Sequence, residues 1–316
     1  MAQPICILCP GQGAQVVGMG RDFFESCPAA RQVFQTANRV LGFDLAGVCF
    51  AGPEDRLNQT DICQPAIYAT SVACYRAALE AGRLDGSAVG VCAGLSLGEY
   101  TALHLAGVFG FEDGLRLVAA RGRLMQEAAV ASPSGMVAIL GGDEAAVNAL
   151  CQENSHGEVL VPANFNAPGQ IVVSGALGAC QRISRAAEAK GLKAIPLKVA
   201  GAFHSPLMQP AAEAMGRELA GVPMQAPRAR VYANVTARAH TDVDAIRRLL
   251  VEQIVRPVRW EQTMQALLAD ATLRLVELAP GRTLAGLARK INRRVAVESL
   301  AAAEVLKEGP AGPAPT

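Results

Sequence analysis

The apolar run Val89–Ala93 stops at Gly94-Leu95-Ser96-Leu97-Gly98, and helix-like sequence resumes from Leu97. Five consecutive apolar residues ended by glycine read as a short strand buried in a core. A strand that turns directly into a helix belongs to an α/β layer architecture with a mostly parallel sheet. Other segments repeat the pattern. Ile5–Cys9 is a second apolar run, stopped by Pro10-Gly11-Gln12-Gly13. Helical periodicity follows around Asp22–Leu41. Pro65–Ala81 reads as an Ala-rich helix with Pro65 in its first position, where a missing N–H costs nothing. Phe111–Ala131 is a long helix carrying Arg116, Arg121 and Arg123. Further strands are expected at Arg230–Ala233 and Arg274–Glu277.

The middle of the chain follows a different pattern. Met136–Leu140, Val159–Asn164, Gln170–Ser174 and Leu192–Lys198 read as strands, with helices at Glu144–Glu153 and Ala179–Lys190. The order β-α-β-β-α-β is that of a ferredoxin-like unit. Residues 133–198 are therefore expected as a ferredoxin-like subdomain inserted into a core built from 1–132 and 199–300. The Ala, Gly and Pro content of 301–316 predicts a flexible tail.

Composition narrows the functional classes. The chain has 316 residues, 51% hydrophobic and 18% charged, so it can bury a sizeable core and is not intrinsically disordered. Twenty-nine basic residues against 28 acidic ones leave no field to attract nucleic acid or anionic lipid. No apolar run is long enough to span a membrane, and residues 1–10 lack the pattern of a signal peptide. Nine cysteines, several inside apolar runs, read as buried thiols of a cytoplasmic protein. Cys6 and Cys9 form a C-x-x-C, but no second pair follows, so no metal site is expected.

The G-x-S-x-G between a strand and a helix has the context of a nucleophile elbow, which strains the serine and aims a helix N-terminus at it. By chance alone a chain this long would hold about 0.1 such matches. Ser96-Leu97-Gly98-Glu99 also fits a capping box, in which Ser96 only caps the helix. A nucleophilic serine needs a base, and there are four histidines. His104 lies on the same helix as Ser96, roughly 12 Å along it. His156 falls in a turn of the inserted unit and His240 in a polar stretch. His204, in the loop where the chain re-enters the core, remains as base, against the alternative of a loop histidine bonded to backbone. The turn Gly11-Gln12-Gly13-Ala14-Gln15 lacks the third glycine of a dinucleotide fingerprint, because position 16 is Val16. It can offer amides to an oxyanion or be a tight turn and nothing more.

Together these segments resemble the malonyl-CoA:acyl carrier protein transacylases and the related acyltransferases of polyketide synthases. The resemblance runs from about Ile5 to Leu300. It rests on Pro10-Gly-Gln-Gly-Ala-Gln15, Gly94-Leu-Ser-Leu-Gly-Glu-Tyr100, Arg121-Gly-Arg-Leu-Met-Gln126, Asn164-Phe-Asn-Ala-Pro-Gly-Gln170, Gly201-Ala-Phe-His-Ser-Pro-Leu-Met208 and Glu277-Leu-Ala-Pro-Gly281. It implies an α/β-hydrolase-like core with a ferredoxin-like insertion.

The resemblance also implies roles. Ser96 would be the acylated nucleophile, His204 its base, and the main-chain carbonyl of Gln253 the group that orients His204. The amides of Gln12 and Leu97 would form the oxyanion hole. Arg121 would pair with the malonyl carboxylate, and Phe203 would crowd an α-methyl branch. Most members have His where this chain has Leu95. The implied reaction is ping-pong transfer of malonyl from malonyl-CoA to the phosphopantetheine thiol of acyl carrier protein, with no metal or other cofactor, by a monomer. Fatty acid and polyketide synthesis both fit. An acyl hydrolase on the same scaffold and a non-catalytic carrier-docking module are the alternatives. Arg182, Arg185, Lys190, Lys193 and Lys198, opposed by Glu188 alone, would offer an acidic carrier a basic face.

Overall fold

A computed structural model describes residues 3–307. Its strands are β1 (Ile5–Cys9), β2 (Val89–Gly94), β3 (Ser134–Leu140), β4 (Leu160–Ala167) and β5 (Gln170–Ala176) in the first half. They continue with β6 (Lys193–Pro196), β7 (Arg230–Ala233), β8 (Arg238–Ala239), β9 (Arg274–Leu278) and β10 (Val297–Leu300). The chain forms two compact units. One comprises the described residues up to Gly122, Val222–Tyr232, and those from Leu267 onward. The other comprises Arg123–Gly221 and Ala233–Ala266.

In the first unit the strands run in the order β10-β9-β1-β2-β7, all parallel. β1 lies in the middle and every one of its residues is buried, which is why Ile5–Cys9 is apolar without alternation. β1 and β2 are in register, Cys9 opposite Gly94, so the turns after the two strands leave the sheet side by side. Cys6 and Cys9 are an odd number of residues apart on one strand and point to opposite faces, so they cannot share a metal ion. All nine cysteines are free and buried.

Helices occupy the positions expected from periodicity, with two differences. The Asp22–Leu41 segment is two helices, Arg21–Ser26 and Pro28–Leu41, because Pro28 starts a new helix after the extended Cys27. The helix expected to begin at Pro65 instead spans Thr60–Glu80, with Pro65 inside it and 16 of its 21 residues buried. Its first turn packs against Gly122, where an added Cβ would sit 2.6 Å from the Thr60 carbonyl oxygen and 2.9 Å from Asp61 Cα. Tertiary packing therefore extends the helix beyond the point where local sequence would start it.

The second unit holds an antiparallel sheet of order β4-β5-β3-β6. Helices Glu144–Ser155 and Leu177–Ala189 pack on one face through Val147, Leu150, Ile183 and Ala187 against Val137, Ile139, Phe165 and Val173. The β-α-β-β-α-β order over 134–196 is the ferredoxin-like one. The compact unit that contains it is larger than the 133–198 segment. At the C-terminal end, Ala303–Lys307 forms a 3-10 turn and the Ala303 amide donates to Asp22 Oδ2 at 2.6 Å. Of the tail expected from Ala301, residues 301–307 are described and 308–316 lie outside the described residues.

Candidate active site

Ser96 sits at φ 52°, in the left-handed region where a non-glycine residue is strained. The glycines around it explain how the turn closes. A Cβ on Gly94 would fall on the Gly98 carbonyl group, and one on Gly98 would fall on the Cys9 carbonyl. The turn is tied to β1 by the Leu95 amide, which donates to Cys9 O at 3.1 Å, and to itself by the Gly98 amide on Leu95 O at 2.9 Å. The helix Gly98–Leu105 follows with Leu97 as its cap and no side-chain cap bond. The cap position of that helix thus falls on Leu97 rather than on Ser96. Gln12 stands three residues past Cys9 and Leu97 three past Gly94, on adjacent turns of paired strands. Leu97 is fully buried and Gln12 half-buried.

Arg121 is 1% exposed. Its NH2 donates to Ser96 Oγ at 3.0 Å and its NH1 to Gln64 Oε1 at 2.8 Å. The guanidinium also lies over the Tyr100 ring, 5.5 Å from the centroid. Burial pulls the Arg121 pKa down from its usual value, while the nearby Tyr100 and Glu99 push it back up. An arginine so placed remains a cation. It gives the half-buried serine a neighbour suited to a carboxylate.

In the second unit His204 is 3% exposed and sits at φ 58°. Its loop is bound on both sides. Ser174 Oγ donates to Phe203 O at 2.5 Å, the Ala202 amide donates to Ser134 Oγ at 3.1 Å, and Ser205 Oγ donates to Ala202 O at 2.6 Å. Phe203 is buried. The His204 ring meets the Gln253 main-chain carbonyl through Nδ1 at 2.6 Å. A carbonyl only accepts, so Nδ1 carries a proton, and in the neutral ring the lone pair is on Nε2. Gln253 belongs to the last turn of the helix Val243–Val255. The Gln253 side chain is fully buried and donates to Asn234 Oδ1 at 3.3 Å.

The first unit thus brings together Ser96, Leu97, Gln12 and Arg121, and the second His204, Phe203 and Gln253. The sequence reasoning missed Gln64, Tyr100, Ser174 and Asn234. Gln64 carries a readable signal, the only amide side chain in a helix rich in small and apolar residues; the others are ordinary until folded. His104 and His156 play no part in either group. His104 Nδ1 meets Phe109 O at 3.0 Å, and His156 ends a helix at φ 47°. Among the described residues no cluster of three or more His, Cys, Asp or Glu side chains could hold a metal, and no helix is long and apolar enough to cross a membrane.

The basic face needs correction. Arg182 is bound to Asn154 O and Ser155 O, both at 2.9 Å, and paired with Glu158 at 2.6 Å. Lys190 is paired with Glu153 at 2.8 Å. Glu188 is therefore not the sole opposing charge: the neighbouring helix and the turn after it neutralise two of the five. Arg185, Lys193 and Lys198 are exposed.

A strained serine elbow beside a buried arginine, on a parallel sheet, defines an acyl-transfer scaffold. The family model for the acyl transferase domain matches residues 7–307. The chain belongs to that family, and within it to the malonyl CoA-acyl carrier protein transacylases. The malonyl CoA-acyl carrier protein transacylase of Escherichia coli strain K12 is 42% identical over 283 residues, 89% of this chain and 91% of that protein. The malonyl CoA-acyl carrier protein transacylase from Coxiella burnetii, whose structure is solved, is 36% identical with a TM-score of 0.93, covering 97% of this chain and 96% of that one. A malonyl-transacylase solved in complex with its type II PKS acyl-carrier protein is 38% identical, TM-score 0.91, covering 96% and 97%.

Proposed function

We propose that this protein transfers malonyl from malonyl-CoA to the phosphopantetheine thiol of acyl carrier protein through a malonyl-Ser96 intermediate. His204 Nε2 takes the Ser96 proton as Oγ attacks the thioester carbonyl. The carbonyl oxygen becomes an oxyanion, held by the Gln12 and Leu97 amides. Collapse expels CoA thiolate, which recovers the proton from His204. The carrier thiol then gives its proton to His204 and attacks the acyl-serine; Ser96 Oγ leaves and recovers that proton, and malonyl stays on the carrier sulfur. Neither step needs a metal or a redox cofactor.

The observation that carries this reading is the buried Arg121 guanidinium 3.0 Å from Ser96 Oγ. A neutral acyl chain gains nothing from that cation, whereas the free carboxylate of malonyl does. The names of the relatives, and the carrier protein bound to one of them, support the donor and the acceptor. On this reading the protein acts as a cytoplasmic monomer, and Phe203 disfavours a methyl branch on the acyl group.

Intact-mass measurement after exposure to malonyl-CoA tests it. A malonyl adduct should form on the protein and discharge when holo carrier protein is added. Release as free malonate with no transfer to carrier would identify a hydrolase instead. Absence of any adduct would leave a docking module.

A further inference from the structure

The carbonyl that orients His204 sits in a helix, where carbonyls are normally taken. In an α-helix each C=O accepts from the N–H four residues on. For Gln253 that residue is Pro257, which has no N–H. The last helical bond of this kind is the Arg256 amide on Glu252 O, at 2.9 Å. Pro257 also disfavours the helical conformation of the residue before it. Arg256 is accordingly extended, at φ −116° and ψ 158°. Beyond the proline the chain is tied elsewhere. The Val258 amide donates to Ala163 O at 2.8 Å, Val258 O accepts from the Phe165 amide at 2.9 Å, and the Arg259 amide donates to Asn234 O at 2.9 Å. Helix termination and the loss of one donor thus coincide at the carbonyl that meets His204 Nδ1 at 2.6 Å.

We propose that Pro257 is a positioning residue for the base: it stops the helix at Val255 and withholds the amide that would compete for the Gln253 carbonyl. It acts through Gln253 and His204 and touches no substrate. Restoring an N–H at 257 lets the helix run on and gives His204 a rival for its acceptor. The inference rests on the acyl-transfer reading for its kinetic consequence, and on the geometry alone for its spectroscopic one.

The test uses the full chain with 15N-labelled histidine, as wild type, Pro257→Ala and Pro257→Val. Alanine permits a helical Arg256; valine returns the N–H but favours the extended chain. The His204 Nδ1 proton, assigned by its loss in His204→Ala, should resonate far downfield in wild type. It should move upfield in Pro257→Val and further in Pro257→Ala, with melting temperatures close to that of wild type. In malonyl transfer kcat should fall about ten- to hundredfold, as expected for a lost hydrogen bond to a group that becomes charged, with KM for malonyl-CoA little changed. If Pro257→Ala does not fold, Pro257→Val carries the comparison. An unmoved Nδ1 resonance in the folded variants would overturn the proposal, whatever the activity did. A shifted resonance in a protein whose wild type takes up no malonyl would support the positioning role and refute the acyl-transfer reading.

Discussion

Replacing Arg121 by alanine should change which acyl group the protein prefers before it changes anything else. The guanidinium is 1% exposed, supported by Gln64 at 2.8 Å and placed 3.0 Å from Ser96 Oγ. Removing one partner of a fully desolvated ion pair costs about 3–5 kcal/mol. Ser96 is only half-buried, so the site is open to water on that side, and the lower end of that range applies. About 3 kcal/mol corresponds to a loss of more than a hundredfold in kcat/KM for malonyl-CoA. Acetyl-CoA has no carboxylate to lose its partner, so its rate should hold or rise. The assay is competitive acylation with malonyl-CoA and acetyl-CoA, read as the ratio of adducts on Ser96 by mass spectrometry. A urea melt guards against misreading a folding defect, because the buried Glu99 loses a countercharge in the same variant. If Arg121 merely tied its helix to Gln64 and Tyr100, both activities would fall together. An unchanged malonyl-to-acetyl ratio in a folded Arg121→Ala protein would therefore refute the carboxylate role.

Other outcomes follow from the same geometry. Ser96→Ala should take up no malonyl, and His204→Ala should do so orders of magnitude more slowly; an adduct on Ser96→Ala would move the nucleophile elsewhere. Gly98→Ala places a Cβ against the Cys9 carbonyl and should cost about 1–3 kcal/mol in urea denaturation, with loss of acylation; a wild-type melt would contradict the close approach. Charge reversal of Arg185 and Lys193 should raise the Michaelis constant for carrier protein at low salt, while Arg182→Glu should chiefly lower stability by breaking its bonds to Asn154, Ser155 and Glu158. If Arg185→Glu leaves that constant unchanged, the basic face has no docking role. Burial pushes the Cys49, Cys74 and Cys92 thiols up to about 12, so at pH 8 they should resist iodoacetamide until the protein is denatured. Rapid native labelling of these three would show the core to be open.

The parts of the fold that local sequence governs were readable from it. Phe111–Ala131 is a helix over the same residues in sequence and structure, and β1 and β2 end at the glycines that punctuate them. The elbow was legible because three constraints of one turn fall within five residues. Distant packing was not legible. Pro65 looks like a helix start, yet the first turn of its helix forms five residues earlier, against the bare backbone of Gly122. That close approach is what carries Gln64 to Arg121, so the pair could not be derived from either segment alone. In the sequence only the resemblance distinguishes Arg121 from Arg116 and Arg123; in the structure burial separates them, since those two are paired with surface carboxylates on their own helix. Likewise, nothing in the polarity of Arg182 announced that two main-chain carbonyls and Glu158 would absorb it.

The register of β1 against β2 has a wider consequence. Adjacent strands in any sheet are held about 4.8 Å apart by their own hydrogen bonds. Because Cys9 faces Gly94, the turns that carry Gln12 and Leu97 leave the sheet side by side, placed by the backbone ladder rather than by any side chain. On the proposed mechanism, the polarising half of the chemistry is thus built into the ladder between two strands. On the same mechanism the choice of acyl group falls instead to side chains on helices, Arg121 and Gln64. Substrate preference can then drift by exchange of helical residues without retuning the means of catalysis, which gives one scaffold room to serve different acyl donors.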